Sequence, residues 1–194
     1  MNNRLSIKER NHIDYAKYML KALLNNADCM NVIRKNQSYE YILHVIAHRD
    51  AFRRLELHTA YHDAFSHEHD VDKIGLSIIL GKDEAKKIHR KIAKHHNIDW
   101  ENPDKAILIE KIFDWESCHY TKLNSPKTAY EYATSQHQDK MTIIEPVLKE
   151  LDLWQKTNEN ILTEEKYNKI IASVHEEHIL SEIRKSYAYL KSRF

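Results

Sequence analysis

Residues 66–73 read SHEHDVDK, which places two histidines, two aspartates and a lysine in eight positions. The stretch separates a segment with helical spacing of its apolar residues from the apolar run IGLSIIL. A second pair, His62-Asp63, stands only a few residues earlier, so a His-Asp dipeptide alone does not identify a site. Whether these residues take part in chemistry depends on what the rest of the chain places beside them.

Composition predicts an all-α fold. The chain has 194 residues, a length that suits one domain with a buried core. It contains only 2 glycines and 3 prolines. That number is too small for the turns of a β-sandwich or for the loops of a nucleotide-binding α/β sheet.

The charge balance excludes several classes of partner. The chain has 30 basic and 29 acidic residues, a formal net charge of +1 and no long block of either sign. We therefore expect no nucleic-acid or anionic membrane surface, although a small anionic substrate fits. Cys29 and Cys118 match no CxxC spacing, and no stretch approaches about 18 apolar residues. These features predict a soluble, cytoplasmic protein with free thiols, and they leave a homo-oligomer open.

Apolar periodicity and capping residues predict six main helical segments. The proline inside the fifth segment, Pro146, predicts a boundary or a kink near Glu145. Ser38 is the predicted N-cap of the second segment, which is continuous or broken, and Asn102 is the predicted N-cap of the fourth, with Pro103 as its first residue. The segments are Ile7 to Leu24, Tyr39 to about Phe65, about Asp83 to Lys94, Pro103 to Thr121, a helix from about Lys127, and Thr163 to about Lys191.

Histidines and aspartates recur along the middle of the chain in a fixed order. They are His48, the pair His69-Asp70, His89, the pair His95-His96, and Asp114. Imidazole and carboxylate ligands suit Mn, Fe, Co, Ni or Zn, whereas Mg and Ca prefer oxygen ligands throughout. Three or four such ligands would leave positions open for water and a substrate.

This order resembles the HD-domain superfamily of metal-dependent phosphohydrolases. The likeness covers roughly residues 40–120 and lies in HRDAF (48–52), EHDVDK (68–73), HRKIAKHHNIDW (89–100) and IFDWE (112–116). It is closest to an uncharacterised branch of predicted HD hydrolases. In that branch a lysine follows the His-Asp pair after three positions, as Lys73 does, and a His-His pair and a tryptophan follow a further histidine.

The resemblance implies a single-domain HD-type bundle in 1–156, with a C-terminal helix in 157–194 packed on it. It implies that His48, His69, Asp70 and Asp114 bind a divalent transition metal, and that His89, His95 and His96 are candidates for a second ion. The implied reaction is attack of a metal-bound hydroxide on a nucleotide or another small phosphate ester. Lys73 and a histidine of the His89/His95 group would stabilise the phosphoryl oxygens, and one such histidine would protonate the leaving oxygen.

The sequence leaves several alternatives open. His44 lies one turn before His48, and we favour His48 as the first ligand. His62-Asp63 is a rival pair, and either His95 or His96 could bind, since His89 and His96 share a face if their helix lasts that long. The rival functions are a di-iron oxygenase of the same fold and a non-catalytic binder that uses the final SYAYLKSRF.

We expect the other histidines and two of the tryptophans to have structural rather than chemical roles. We expect solvated or structural positions for His12, His67, His119, His137 and the HEEH segment at 175–178, and core positions for Trp115 and Trp154. Asp114 shares a helical stripe with Ile107 and Cys118, away from the main apolar face. That placement predicts a helix that is buried on more than one side.

Overall fold

The computed structural model describes residues 5–62, 64–124, 126–154 and 162–194. These residues form α-helices and two short 3-10 helices, at Lys94–His96 and Gln138–Lys140, with no strand among them. The prediction of an all-α protein is confirmed. The helices are α1 (Ile7–Leu24), α2 (Cys29–Arg34), α3 (Tyr39–Leu57), α4 (Val71–Leu80), α5 (Lys82–Ile92), α6 (Lys105–Thr121), α7 (Ala129–Gln136), α8 (Met141–Glu150), α9 (Glu164–Ala172) and α10 (Glu176–Arg193).

The chain divides into two compact units. Unit 1 comprises the described residues of Met1–Ile46, Asp70–Ala93 and Ala172–Phe194, and unit 2 comprises those of Ala47–His69 and Lys94–Ile171. Helix α3 contributes residues to both. The predicted division near residue 156 stays a prediction. In the described part of the chain no helix combines the length and apolar character that a membrane crossing requires.

Unit 1 is organised around α4, which packs against α1, α5 and α10. Helix α4 is almost entirely buried, and Gly75 allows its neighbours to approach closely. A Cβ atom at this position would lie 2.6 Å from a methyl carbon of Leu20 and 2.7 Å from Ser186 Oγ. The amide of Gly75 donates to that same Oγ at 2.9 Å. The site residues that belong to α4 and α5 are therefore held in a tightly packed frame.

Unit 2 is organised around α6, which contacts α7, α8 and the first 3-10 helix. Its hydrophobic core is built from side chains of α3, α6, α7 and α8. The buried members include Phe52, Leu108, Ile112, Phe113, Trp115, Tyr132, Ile144 and Leu148. Helix α6 is buried on more than one side, since Asp114 and Ser117 are buried together with the apolar residues. The prediction made from the position of Asp114 is confirmed.

Two predicted helix boundaries are wrong because capping and loop contacts decide them. Helix α3 ends at Leu57 rather than near Phe65, so His58 and His62 lie outside it. Helix α6 is capped by Asp104, whose carboxylate accepts from the amides of Ala106 and Ile107. The predicted cap Asn102 and first residue Pro103 lie upstream of the helix.

The C-terminal third also departs from the prediction. Pro146 lies inside α8, so no helix boundary falls near Glu145, and the alternative of a kink there stays a prediction. The segment is interrupted instead at His137, between α7 and the second 3-10 helix. The last segment begins as predicted, because the Thr163 hydroxyl accepts from the amide of Lys166, but it is broken between Ala172 and Glu176. Trp154 is 41% exposed, so its predicted core position is wrong, whereas Trp115 is buried as predicted.

Candidate metal centre

Unit 2 brings three of the predicted ligands together. His48 comes from α3, Asp114 from α6, and His69 from the segment before α4. One ligand atom from each of these residues lies within 4.8 Å of the others. His48 Nε2 is 3.2 Å and His69 Nε2 is 3.7 Å from the same Asp114 oxygen. All three residues are buried, so this His/Asp group could hold a metal ion.

The hydrogen bonds around His48 test whether the group fits a cation. The hydroxyl of Thr121 donates to the Ser117 carbonyl at 2.8 Å, so its oxygen can only accept from His48 Nδ1, which lies 3.2 Å away. In the neutral imidazole this tautomer turns the Nε2 lone pair towards the carboxylate of Asp114. A lone pair facing an anion at 3.2 Å is repulsive unless a proton or a cation lies between them. The donor set therefore fits a bound cation.

Helix α3 also positions the backbone that presents His69. The ring of Phe52 stacks on the His69 imidazole with centroids 4.0 Å apart, and Arg49 donates to the His69 carbonyl. One turn further, the buried carboxylate of Glu56 accepts from the amides of Phe65 at 2.6 Å and Ser66 at 3.3 Å. These contacts fix the segment that precedes the His-Asp pair.

Glu110 is a member of the site that the sequence analysis missed. Its Oε1 atom lies 3.2 Å from His69 Nδ1 and 2.8 Å from His95 Nδ1. Burial alone would raise the pKa of Glu110, but hydrogen bonds from the two histidines outweigh it and lower the pKa to about 2. The three residues also form a group that could hold an ion. Glu110 precedes Asp114 by four positions on α6, and this helical spacing was the signal in the sequence.

The charge of Asp114 is fixed by its neighbours. Burial by itself would raise the pKa of this carboxyl group. Lys111, whose ammonium lies 2.8 Å away, together with the neighbouring imidazoles of His48, His95 and His69, holds the pKa of Asp114 well below its usual range. Asp114 is therefore an anion at neutral pH, as a ligand must be.

Unit 1 holds a second cluster of the predicted residues. Asp70 has φ 56°, a left-handed conformation that is uncommon for aspartate, at the N-cap of α4. Its carboxylate lies 2.6 Å from Lys73 Nζ and 3.1 Å from His89 Nε2. His89 Nδ1 lies 2.9 Å from Asp72, a residue that the sequence analysis did not select. Burial and the charge of Lys73 would lower the pKa of His89. The carboxylates of Asp72 and Asp70 outweigh both effects, so the pKa of His89 is raised.

The remaining candidates occupy distinct places. Helix α5 ends at Ile92, so the condition under which His89 and His96 would share one helical face is not met. His95 is buried in the first 3-10 helix and faces Glu110, while His96 Nδ1 lies 3.4 Å from Lys111 Nζ. A metal role for Asp70, His89, His95 or His96 stays a prediction.

The alternatives to His48 and to the His69-Asp70 pair differ in their surroundings. His44 belongs to unit 1, where its ring stacks with Tyr41 at 6.4 Å. His62 is exposed, and its partner Asp63 lies outside the described residues. His119, expected to be structural, is buried, and its Nδ1 donates to the Pro126 carbonyl at 2.8 Å.

Comparisons of the chain with protein family models, with curated proteins and with solved structures gave no match. Membership of the HD-domain superfamily stays a prediction from sequence.

Proposed function

We propose that this protein is a metal-dependent phosphohydrolase of the HD-domain superfamily, with a nucleotide or another small phosphate ester as substrate. The observation that supports the proposal is the convergence of His48, His69 and Asp114 on one buried point of unit 2. These residues are far apart in sequence, and two are imidazoles while one is a carboxylate. That combination suits a divalent transition metal.

Each proposed histidine ligand is oriented by a further residue. Thr121 accepts from His48 Nδ1, and Glu110 accepts from His69 Nδ1, so both Nε2 atoms are directed towards Asp114. Such outer hydrogen bonds fix the tautomer and the ring orientation of metal-binding histidines. A divalent metal bound here would supply an activated water at neutral pH and polarise a phosphoryl oxygen.

Other residues would act on the phosphoryl group and the leaving group. Lys73 is the proposed cation for a phosphoryl oxygen, because its side chain is only 14% exposed and its ammonium is held by Asp70 at 2.6 Å. His89 is the proposed proton donor, and Asp72 orients its ring. His95, held by Glu110, is the histidine proposed to stabilise the phosphoryl oxygens.

The test is a panel of phosphate monoesters and diesters, including nucleotides, with Mn, Fe, Co, Ni or Zn added in turn. We expect Asp114→Asn to abolish turnover, and Asp139→Asn, an exposed aspartate of the same unit, to retain it. Undiminished turnover in Asp114→Asn would contradict the proposal. Asp70→Ala, assayed for metal and turnover, tests the fourth predicted ligand.

The oxygenase alternative is favoured by one observation: Glu110 and His95 add a carboxylate and an imidazole beside His69. A second ion there would have ligands of the kind that iron accepts. Two irons per chain and oxygen consumption would support the oxygenase. A transition metal with phosphate release and no oxygen consumption would support the hydrolase.

A further inference from the structure

A row of basic side chains runs along α5 and takes no part in the proposed reaction. Lys82, Lys86 and Arg90 recur at intervals of four residues, so they share one face of the helix. The buried face of α5 is formed by other residues, among them Ala85 and Ile88. The basic row therefore faces away from the core of unit 1.

The first two lysines converge on one aromatic ring. Lys82 Nζ lies 5.4 Å and Lys86 Nζ lies 5.1 Å from the centroid of Tyr41, which belongs to the same unit. The negative face of the ring attracts both ammonium groups. Burial raises the pKa of Tyr41 to about 12. The charge of Lys73 opposes this rise, and the charge of Asp70 adds to it. The Tyr41 hydroxyl is therefore a neutral hydrogen-bond donor at neutral pH.

Several cations of unit 1 interact electrostatically with Lys86. Burial lowers the pKa of Lys86, and the charges of Lys82, Lys73 and Arg90 lower it further, against an opposing effect of Asp83. Like charges held together destabilise one another. An anion bound among them would remove that repulsion.

We propose that Tyr41, Lys73, Lys82, Lys86 and Arg90 form a polyphosphate-binding site in unit 1, which takes a small molecule with two or more adjacent phosphoryl groups. Lys73 connects this site with Asp70, to which it is ion-paired at 2.6 Å. The identification of the bound molecule as the substrate rests on the proposed function. The anion site itself does not.

The dimensions of the basic row favour several phosphoryl groups over one. Lys82 and Arg90 are eight positions apart, which corresponds to about 12 Å along a helix. A single phosphate cannot contact all the side chains of such a row, whereas a di- or triphosphate can. The net charge of +1 and the lack of a long basic block argue against a nucleic acid as the ligand. Tyr41, Lys73 and Lys86 are partly buried, which suits a small molecule.

The experiment is isothermal titration of the purified protein with inorganic tripolyphosphate and, separately, with orthophosphate. We expect tripolyphosphate to bind at least tenfold more tightly than orthophosphate. Replacing both lysines (K82Q and K86Q together) should weaken tripolyphosphate binding at least tenfold, and the arginine pair (K82R and K86R) should retain it. The matched control is Lys87→Gln, which lies on the same helix but pairs with Glu9 and Glu84, and should change binding less than twofold.

Two results would overturn this inference. One is equal tripolyphosphate affinity in wild type and in the K82Q/K86Q protein, provided that both unfold at the same temperature. The other is loss of binding in Asp114→Asn, which would place the anion on the metal instead. If the hydrolase proposal were wrong, the protein would lack bound metal or phosphatase turnover. Tripolyphosphate binding at this site would be unchanged.

Discussion

His89 and Asp72 form a buried pair in which Nδ1 of the imidazole lies 2.9 Å and 3.0 Å from the two carboxylate oxygens. The other ring nitrogen lies 3.1 Å from Asp70. A carboxylate on Nδ1 keeps the proton on that atom and fixes the ring in one orientation. Asp72 is therefore a positioning residue, and it directs Nε2 of His89 towards the predicted ligand Asp70.

The pair predicts the effect of Asp72→Asn on catalysis. The amide keeps the size of the side chain but removes its charge, so we expect turnover to fall about 10- to 100-fold, as for other outer-shell partners. The measurement is kcat on the best substrate of the phosphate panel, with the pH profile recorded for both proteins. Because the pair sets the protonation of His89, the profile should shift as well. Asp14→Asn, at an exposed position of α1, is the control.

An unchanged kcat and pH profile in Asp72→Asn would contradict this role. A lower unfolding temperature with a normal profile would assign Asp72 to stability alone.

We expect the buried carboxylate of Glu56 to stabilise unit 2. This carboxylate accepts from the amides of Phe65 and Ser66, and Glu56→Gln would weaken both bonds and place an amide donor against an amide. We expect the free energy of unfolding to fall by about 1–3 kcal/mol. Urea unfolding measures it, with Glu145→Gln, a partly exposed residue paired with Lys149, as control. Equal losses in both variants would show that Glu56 has no special role.

The hydrogen bonds of Glu9 lead us to expect a pH-dependent contribution to stability. Lys91 donates to its carboxylate at 2.6 Å and the Ser6 amide donates at 2.8 Å, which lowers the pKa of Glu9 from 4.5 to about 2. Since the folded pKa lies below the unfolded one, the stabilisation is complete above about pH 4.5 and is lost as the pH falls towards 2.

Glu9→Gln should therefore lower the free energy of unfolding by about 1–3 kcal/mol at pH 7. The difference between variant and wild type should shrink at pH 3, where the carboxyl group of the unfolded chain is protonated. Urea unfolding at the two pH values measures both quantities. A difference that is as large at pH 3 as at pH 7 would mean that the charge of Glu9 contributes nothing.

Local signals predicted α1 well, and tertiary contacts explain where other elements were missed. The capping box of Ser6 and Glu9 and the C-cap at Asn25 are short-range features, so both ends of α1 could be read from sequence. The end of α3 at Leu57 could not, because the segment after it is fixed by the Glu56 carboxylate, which accepts from amides nine and ten residues away. No periodicity encodes such a bond.

In the candidate site, too, some residues could be found from local sequence signals and others only from tertiary contacts. The order of His48, His69 and Asp114 was visible in the sequence, because residue types that bind metals are few. Glu110 and Asp72 were missed because each acts through a histidine on another segment, 41 residues away for Glu110 and His69 and 17 for Asp72 and His89. Carboxylates are common on helix surfaces, so the four-residue spacing between Glu110 and Asp114 was not specific enough to identify Glu110 without the fold.

The most direct test of the central claim is elemental analysis of the protein, purified without added metal and without a metal-affinity tag. We expect one or two transition-metal ions per chain in the wild type, and loss of at least one of them in Asp114→Asn, with both proteins folded by circular dichroism. A folded wild type that neither retains such an ion nor binds one on reconstitution, or a variant with an unchanged metal content, would contradict it.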